Sequence, residues 1–109
     1  MKILFDNGTP KPIARSLSSH EVIFARKIGW HELENGELIQ RAEGAGYELL
    51  LSTYKNIRYQ QNLTGRKIAI IVLGNSQWPM VKLHLDKIAA AVDSCSGGSY
   101  FEVEIPFEH

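Results

Sequence analysis

The run IAIIVL at residues 68–73 does most to limit what this chain can become. Unbroken by any polar residue, it suits a strand covered on both faces, and such strands belong inside parallel sheets flanked by helices. Ile3, Leu4 and Phe5 form a shorter run of the same kind, which Asp6 ends; a run this short also suits a buried helical turn. Residues 20–25 (HEVIFA) and 47–52 (YELLLS) add two further strand candidates, the first with β-branched and aromatic residues at its centre.

Helical segments separate these runs. Thr9 is expected to cap a short helix beginning at Pro10, where the missing N–H costs nothing, with Ile13, Ala14 and Leu17 on its inner face. Asn35 is expected to cap a second helix that ends near Gly44 or Gly46 and buries Leu38, Ile39 and Ala42. Ser76 is expected to cap a third, with Pro79 in its first turn and Val81, Leu85, Ile88, Ala89 and Val92 along one face. Residues 94–99 (SCSGGS) form a turn. Residues 100–105 then alternate Tyr100, Glu102 and Glu104 against Phe101, Val103 and Ile105, as an edge strand does, with the glutamates guarding the edge.

Strand and helix therefore alternate along 109 residues, enough for one core and too few for two. The expected fold is α/β, with three layers around a mostly parallel five-stranded sheet and residues 1–109 as a single domain. Lys and Arg total 12, as do Asp and Glu, so no overall positive field draws nucleic acid, and any such contact must be local. The lone Cys95 excludes an internal disulfide and reads as incidental. Met1 and Lys2 lead directly into the first strand and no apolar stretch is long enough to span a membrane, so a cytoplasmic protein without a membrane partner is expected. The glycine-rich signatures of nucleotide cradles and the hydrolase nucleophile elbow are absent, so no nucleotide cofactor is expected.

The chemistry is expected where the strands end. In an open α/β sheet, ligands bind outside the carboxyl ends of the strands. Asp6 lies at such an end, followed by the turn residues Asn7 and Gly8, and a plain turn would also account for it. Glu37, in the first turn of the second helix, is favoured there by the helix dipole and could converge on Asp6. Carboxylates so gathered would suit Mg²⁺ or Mn²⁺. The third strand, however, ends in Ser52, Thr53 and Tyr54, without an acid.

Residues 55–66 (KNIRYQQNLTGR) carry Lys55, Arg58 and Arg66 among Tyr59 and several amides, with Tyr54 just ahead. Cations for phosphates and aromatic rings for bases make this the most nucleic-acid-like stretch of the chain, although a solvated loop has a similar composition. His20 reads as a surface or edge histidine, because no second ligand stands at metal-site spacing. Trp30 and Trp78 either cover the ends of the core or anchor a partner.

LFDNGTP, NGELI, YKNIRYQQNLTGRKIAIIVL and the closing HLDKIAAAVD together resemble the PIN-like proteins of the DUF5615 type, relatives of the toxin ribonucleases of toxin–antitoxin pairs. The resemblance extends over essentially the whole chain. It implies a PIN-like fold and metal-dependent hydrolysis of RNA, with Mg²⁺ or Mn²⁺ held by acids at the strand ends. By position, Asp6 and Glu37 match the metal-binding acids, and Asn56 matches a polar residue of the catalytic set. Lys55, Arg58, Tyr59 and Arg66 would then contact RNA. The family usually has Asp where this chain has Tyr54, so a phenol stands in place of an anionic ligand. The resemblance thus leaves two readings, an RNA-cleaving enzyme or its weakened descendant, and an inactive module that binds RNA or protein. A cognate antitoxin or a second copy of the chain are the partners it suggests.

Overall fold

All five strand candidates become strands, and all five strands run parallel. The structure, a computed structural model, describes residues 1–57 and 63–107. Its strands are β1 (Lys2–Phe5), β2 (Glu21–Phe24), β3 (Leu49–Ser52), β4 (Ala69–Leu73) and β5 (Tyr100–Val103). They form one sheet in the order β2-β1-β3-β4-β5, with Phe5 opposite both Phe24 and Leu51. The IAIIVL run is an interior strand, but the middle position belongs to β3. The α/β expectation holds, and the sheet is wholly parallel rather than mostly so.

Alternation along each strand sorts the core into two apolar clusters. Ile3, Phe5, Leu49, Leu51, Ala69, Ile71 and Leu73 join Ile13 and Leu17 from a 3-10 helix (Lys11–Leu17) and Ile88, Ala91 and Val92 from a later α-helix. Leu4, Leu50, Ile70 and Val72 join Leu38, Ile39 and Ala42 from helix α1 (Asn35–Gly44). Because neighbouring residues of a strand point to opposite faces, strands buried on both sides leave little room for polar positions. At full burial each of these leucines and isoleucines contributes roughly 1.5–3 kcal/mol.

All three helix starts depart from expectation, each in its own way. Thr9 does not cap the first helix; its hydroxyl donates to the Leu51 carbonyl at 3.0 Å, and Pro10 takes the cap position. Glu34, one residue earlier than expected, occupies the cap of α1, so Asn35 lies inside the helix. Ser76 yields to Asn75, whose buried amide oxygen accepts from the Gln77 N–H at 2.9 Å while its Nδ2 donates to the Pro106 carbonyl at 3.2 Å. The single helix expected after β4 is broken into α2 (Trp78–Val81), a 3-10 turn (Lys82–His84) and α3 (Leu85–Ser94).

β5 departs from its expected pattern at one residue. Val103 and Ile105 are buried, but Phe101 is 52% exposed. It ends the cross-strand row Phe5, Leu51, Ile71, Phe101 at the outer strand, where no further strand shields its ring. His20 is an edge histidine, but a largely covered one. Its Nδ1 lies 3.0 Å from the terminal amine of Met1 and its Nε2 lies 3.1 Å from Asp93, so it fastens the amino end of the sheet to α3. No helix among the described residues is long and apolar enough to cross a membrane.

Candidate functional site at the carboxyl edge

The strand order places a break in winding direction between β1 and β3. The chain leaves β1 toward β2 and then returns across it to β3, and ligands of such sheets bind at the carboxyl end of that switch. Asp6 stands there. Its backbone N–H donates to the Leu51 carbonyl at 2.9 Å, carrying the β1–β3 ladder one residue past the strand, and its carbonyl accepts from the Thr9 N–H at 3.0 Å. Gly8, at φ +97°, lets residues 6–9 turn that tightly.

The Asp6 side chain is tied at both oxygens. Oδ1 accepts from the Asn7 N–H at 2.7 Å and Oδ2 from the Ser52 hydroxyl at 2.7 Å. Ser52 is fully buried, and its Oγ also accepts from the Tyr54 N–H at 3.1 Å. Burial raises the Asp6 carboxyl above its ordinary 3.8, outweighing the hydrogen bonds from Ser52 and Asn7 that pull the other way. Ser52, which the sequence offers only as a missing acid, is thus the residue that meets Asp6 across the switch.

The other expected site residues are placed less uniformly. Glu37 lies in the first turn of α1 with its side chain 54% exposed, 3.8 Å from Arg41. Neither hydrogen bonds nor ion pairs of the described residues link it to Asp6. Tyr54 packs against the apolar cluster that contains Leu38 and Ile39 of α1. Lys55 and Asn56 are exposed beyond the carboxyl end of β3, with the Lys55 ammonium 4.6 Å above the Phe107 ring. Arg58 and Tyr59 lie outside the described residues.

Arg66 is not part of this edge. It precedes β4 at the amino side of the sheet and pairs with Glu43 at 3.7 Å, while Glu43 also accepts from the N–H groups of Lys67 at 2.6 Å and Ile68 at 3.2 Å. Its ordinary work is to fasten the start of β4 to the end of α1. The tryptophans are also engaged internally. Trp30 meets Tyr47 edge to face with ring centres 6.0 Å apart, and Trp78 packs on the Ile13 cluster.

No family model, curated protein or solved structure matches this chain.

Two cations at the same edge escape a reading of the sequence. Asp6, Asn7 and Gly8 share a notch of about 30 Å³ with Lys11, Phe24 and Arg26. Arg26 Nη2 donates to Asn7 Oδ1 at 3.3 Å, and the Lys11 ammonium stands 5.7 Å from the centre of the Phe24 ring. The signal for them lies in the strand register. With Phe24 opposite Phe5, the residues just past β2 fall beside the residues just past β1. Among the described residues, no group of three or more His, Cys, Asp or Glu side chains is arranged to hold a metal ion.

Proposed function

We propose that this chain is a PIN-like module that engages RNA along the carboxyl edge of its sheet without cleaving it. The observation that carries this reading is the state of Asp6, a half-buried carboxylate at the switch point whose oxygens are taken by the Asn7 N–H and the Ser52 hydroxyl. Mg²⁺ and Mn²⁺ favour several anionic oxygens. One tied carboxylate beside a serine, a phenol at residue 54 and a glutamate paired with Arg41 do not fit such an ion, and no step is assigned through one.

RNA is favoured over a protein partner because Lys55 and Asn56 are exposed at this edge beside the exposed Phe107 ring, polar groups for phosphates and an aromatic face for a base, while both half-buried tryptophans pack against the core clusters. Such groups hold a phosphate backbone in place and do not read its bases. The reading accommodates the family resemblance, with Tyr54 marking where the cleaving chemistry was lost.

Calorimetric titration with Mn²⁺, alongside binding of a fluorescent single-stranded RNA, tests the proposal. The wild-type protein should bind RNA and show no specific Mn²⁺ uptake, Lys55→Gln should weaken the RNA complex, and Tyr54→Asp should gain ion affinity. Stoichiometric Mn²⁺ binding that disappears in Asp6→Asn would instead support a metal-dependent ribonuclease.

A further inference from the structure

We propose that Lys11 and Arg26 form a phosphate-binding pair beside Asp6, and that this pair receives a phosphate of the RNA backbone at the β1–β2 end of the crevice. The inference deepens the RNA-binding reading and names the contact through which the edge would hold its ligand.

Three observations carry it. The first is convergence, since Lys11 follows β1 and Arg26 follows β2, and the two line one notch with Asn7 and Gly8. The second is their lack of carboxylate partners among the described residues. Arg41 and Arg66 are answered by Glu37 and Glu43, whereas no ion pair of the described residues includes Lys11 or Arg26. Asp6, the acid of the notch, has its oxygens directed to Asn7 and Ser52 instead.

The third is orientation. Arg26 and Lys11 are exposed, yet each has a local guide: Asn7 Oδ1 accepts from the Arg26 guanidinium, and the Phe24 ring lies beneath the Lys11 ammonium. A planar guanidinium fork held in this way leaves other N–H groups for an oxyanion, and an ammonium supplies a second, less directional charge. The notch itself is small, about 30 Å³, so a tetrahedral oxyanion would sit at its mouth with the two cations beside it. Phosphate meets that description, and at this edge a phosphodiester would lie in line with Lys55, past β3.

A free phosphate and a backbone phosphate share this chemistry, so the experiment carries both. Binding of a labelled ten-nucleotide oligouridylate is followed by anisotropy over a range of salt concentrations for the wild type, the Lys11→Gln/Arg26→Gln double variant and Arg26→Lys. In parallel, inorganic phosphate and uridine 5′-monophosphate are titrated while the Arg26 Nε–H resonance is followed by NMR. The double variant should lower the slope of log affinity against log salt by about 0.7, the value for the one single-strand phosphate the pair neutralises. Arg26→Lys should keep the slope and lose affinity several-fold.

Oligonucleotide binding with an unchanged slope in the double variant would overturn the pair and leave the RNA reading standing. If the oligonucleotide fails to bind but phosphate or the mononucleotide shifts the Arg26 resonance, the pair holds as a small-phosphate site and the RNA reading falls. No response to any of these probes would overturn both.

Discussion

At Asp6, burial competes with two hydrogen bonds and wins, and the carboxyl is raised; at Glu43 the N–H of Lys67 leads, and the carboxyl is lowered. The two acids therefore contribute to stability with opposite signs. A raised folded value means that the native state binds its proton more readily than the unfolded chain, so the Asp6 contribution is fullest in acid and is lost as pH climbs from 3.8 through the folded value. A lowered value means the reverse, so the Glu43 contribution is present above 4.5 and lost as pH falls through the folded value. Chemical denaturation across pH should show Asp6→Asn gaining on the wild type as pH rises, and Glu43→Gln losing to it. Ser52→Ala strips the half-buried Asp6 carboxylate of its hydroxyl donor and should cost about 1 kcal/mol by the same measurement. The position of Asp6 was legible in the sequence from an apolar run followed by turn residues. The role of Ser52 was not, because it depends on which strand lies beside β1.

Elements were legible where a single property decides them. Runs such as IAIIVL and YELLLS mark strands because burial on both faces removes polar residues whatever the neighbours are. Helix starts were not, because the capping chemistry of Thr9, Asn35 and Ser76 is sound locally and is overridden by the carbonyl of Leu51, a one-residue shift and the clasp of Asn75. Asn75→Ala should therefore destabilise more than Ser76→Ala, by about 1–2 kcal/mol, since it frees the Gln77 N–H and the Pro106 carbonyl together. The turn before β5 offers a second test. Gly98 has φ +81°, and a Cβ there would lie 2.7 Å from the Arg66 carbonyl oxygen. Gly98→Ala should lower the thermal midpoint through both strain and collision, a cost of about 1–3 kcal/mol.

For the molecule as a whole, the alternation of strand and helix announced a parallel sheet, and the structure has one. Strand order was beyond the sequence, and order is what determines which side chains meet. It sets Ser52 and the Lys11–Arg26 notch beside Asp6, whereas Arg66 lies at the far edge because it precedes β4 in a parallel sheet. A protein with equal numbers of cations and anions can still gather two cations locally in this way. The central claim is that the carboxyl edge binds RNA and leaves it intact. Its most direct test is to incubate end-labelled single-stranded RNA with the wild-type protein and Mn²⁺, and to read retention and fragment length from the same samples. Retained, full-length RNA is the predicted result, and Mn²⁺-dependent fragments that vanish with Asp6→Asn would contradict it.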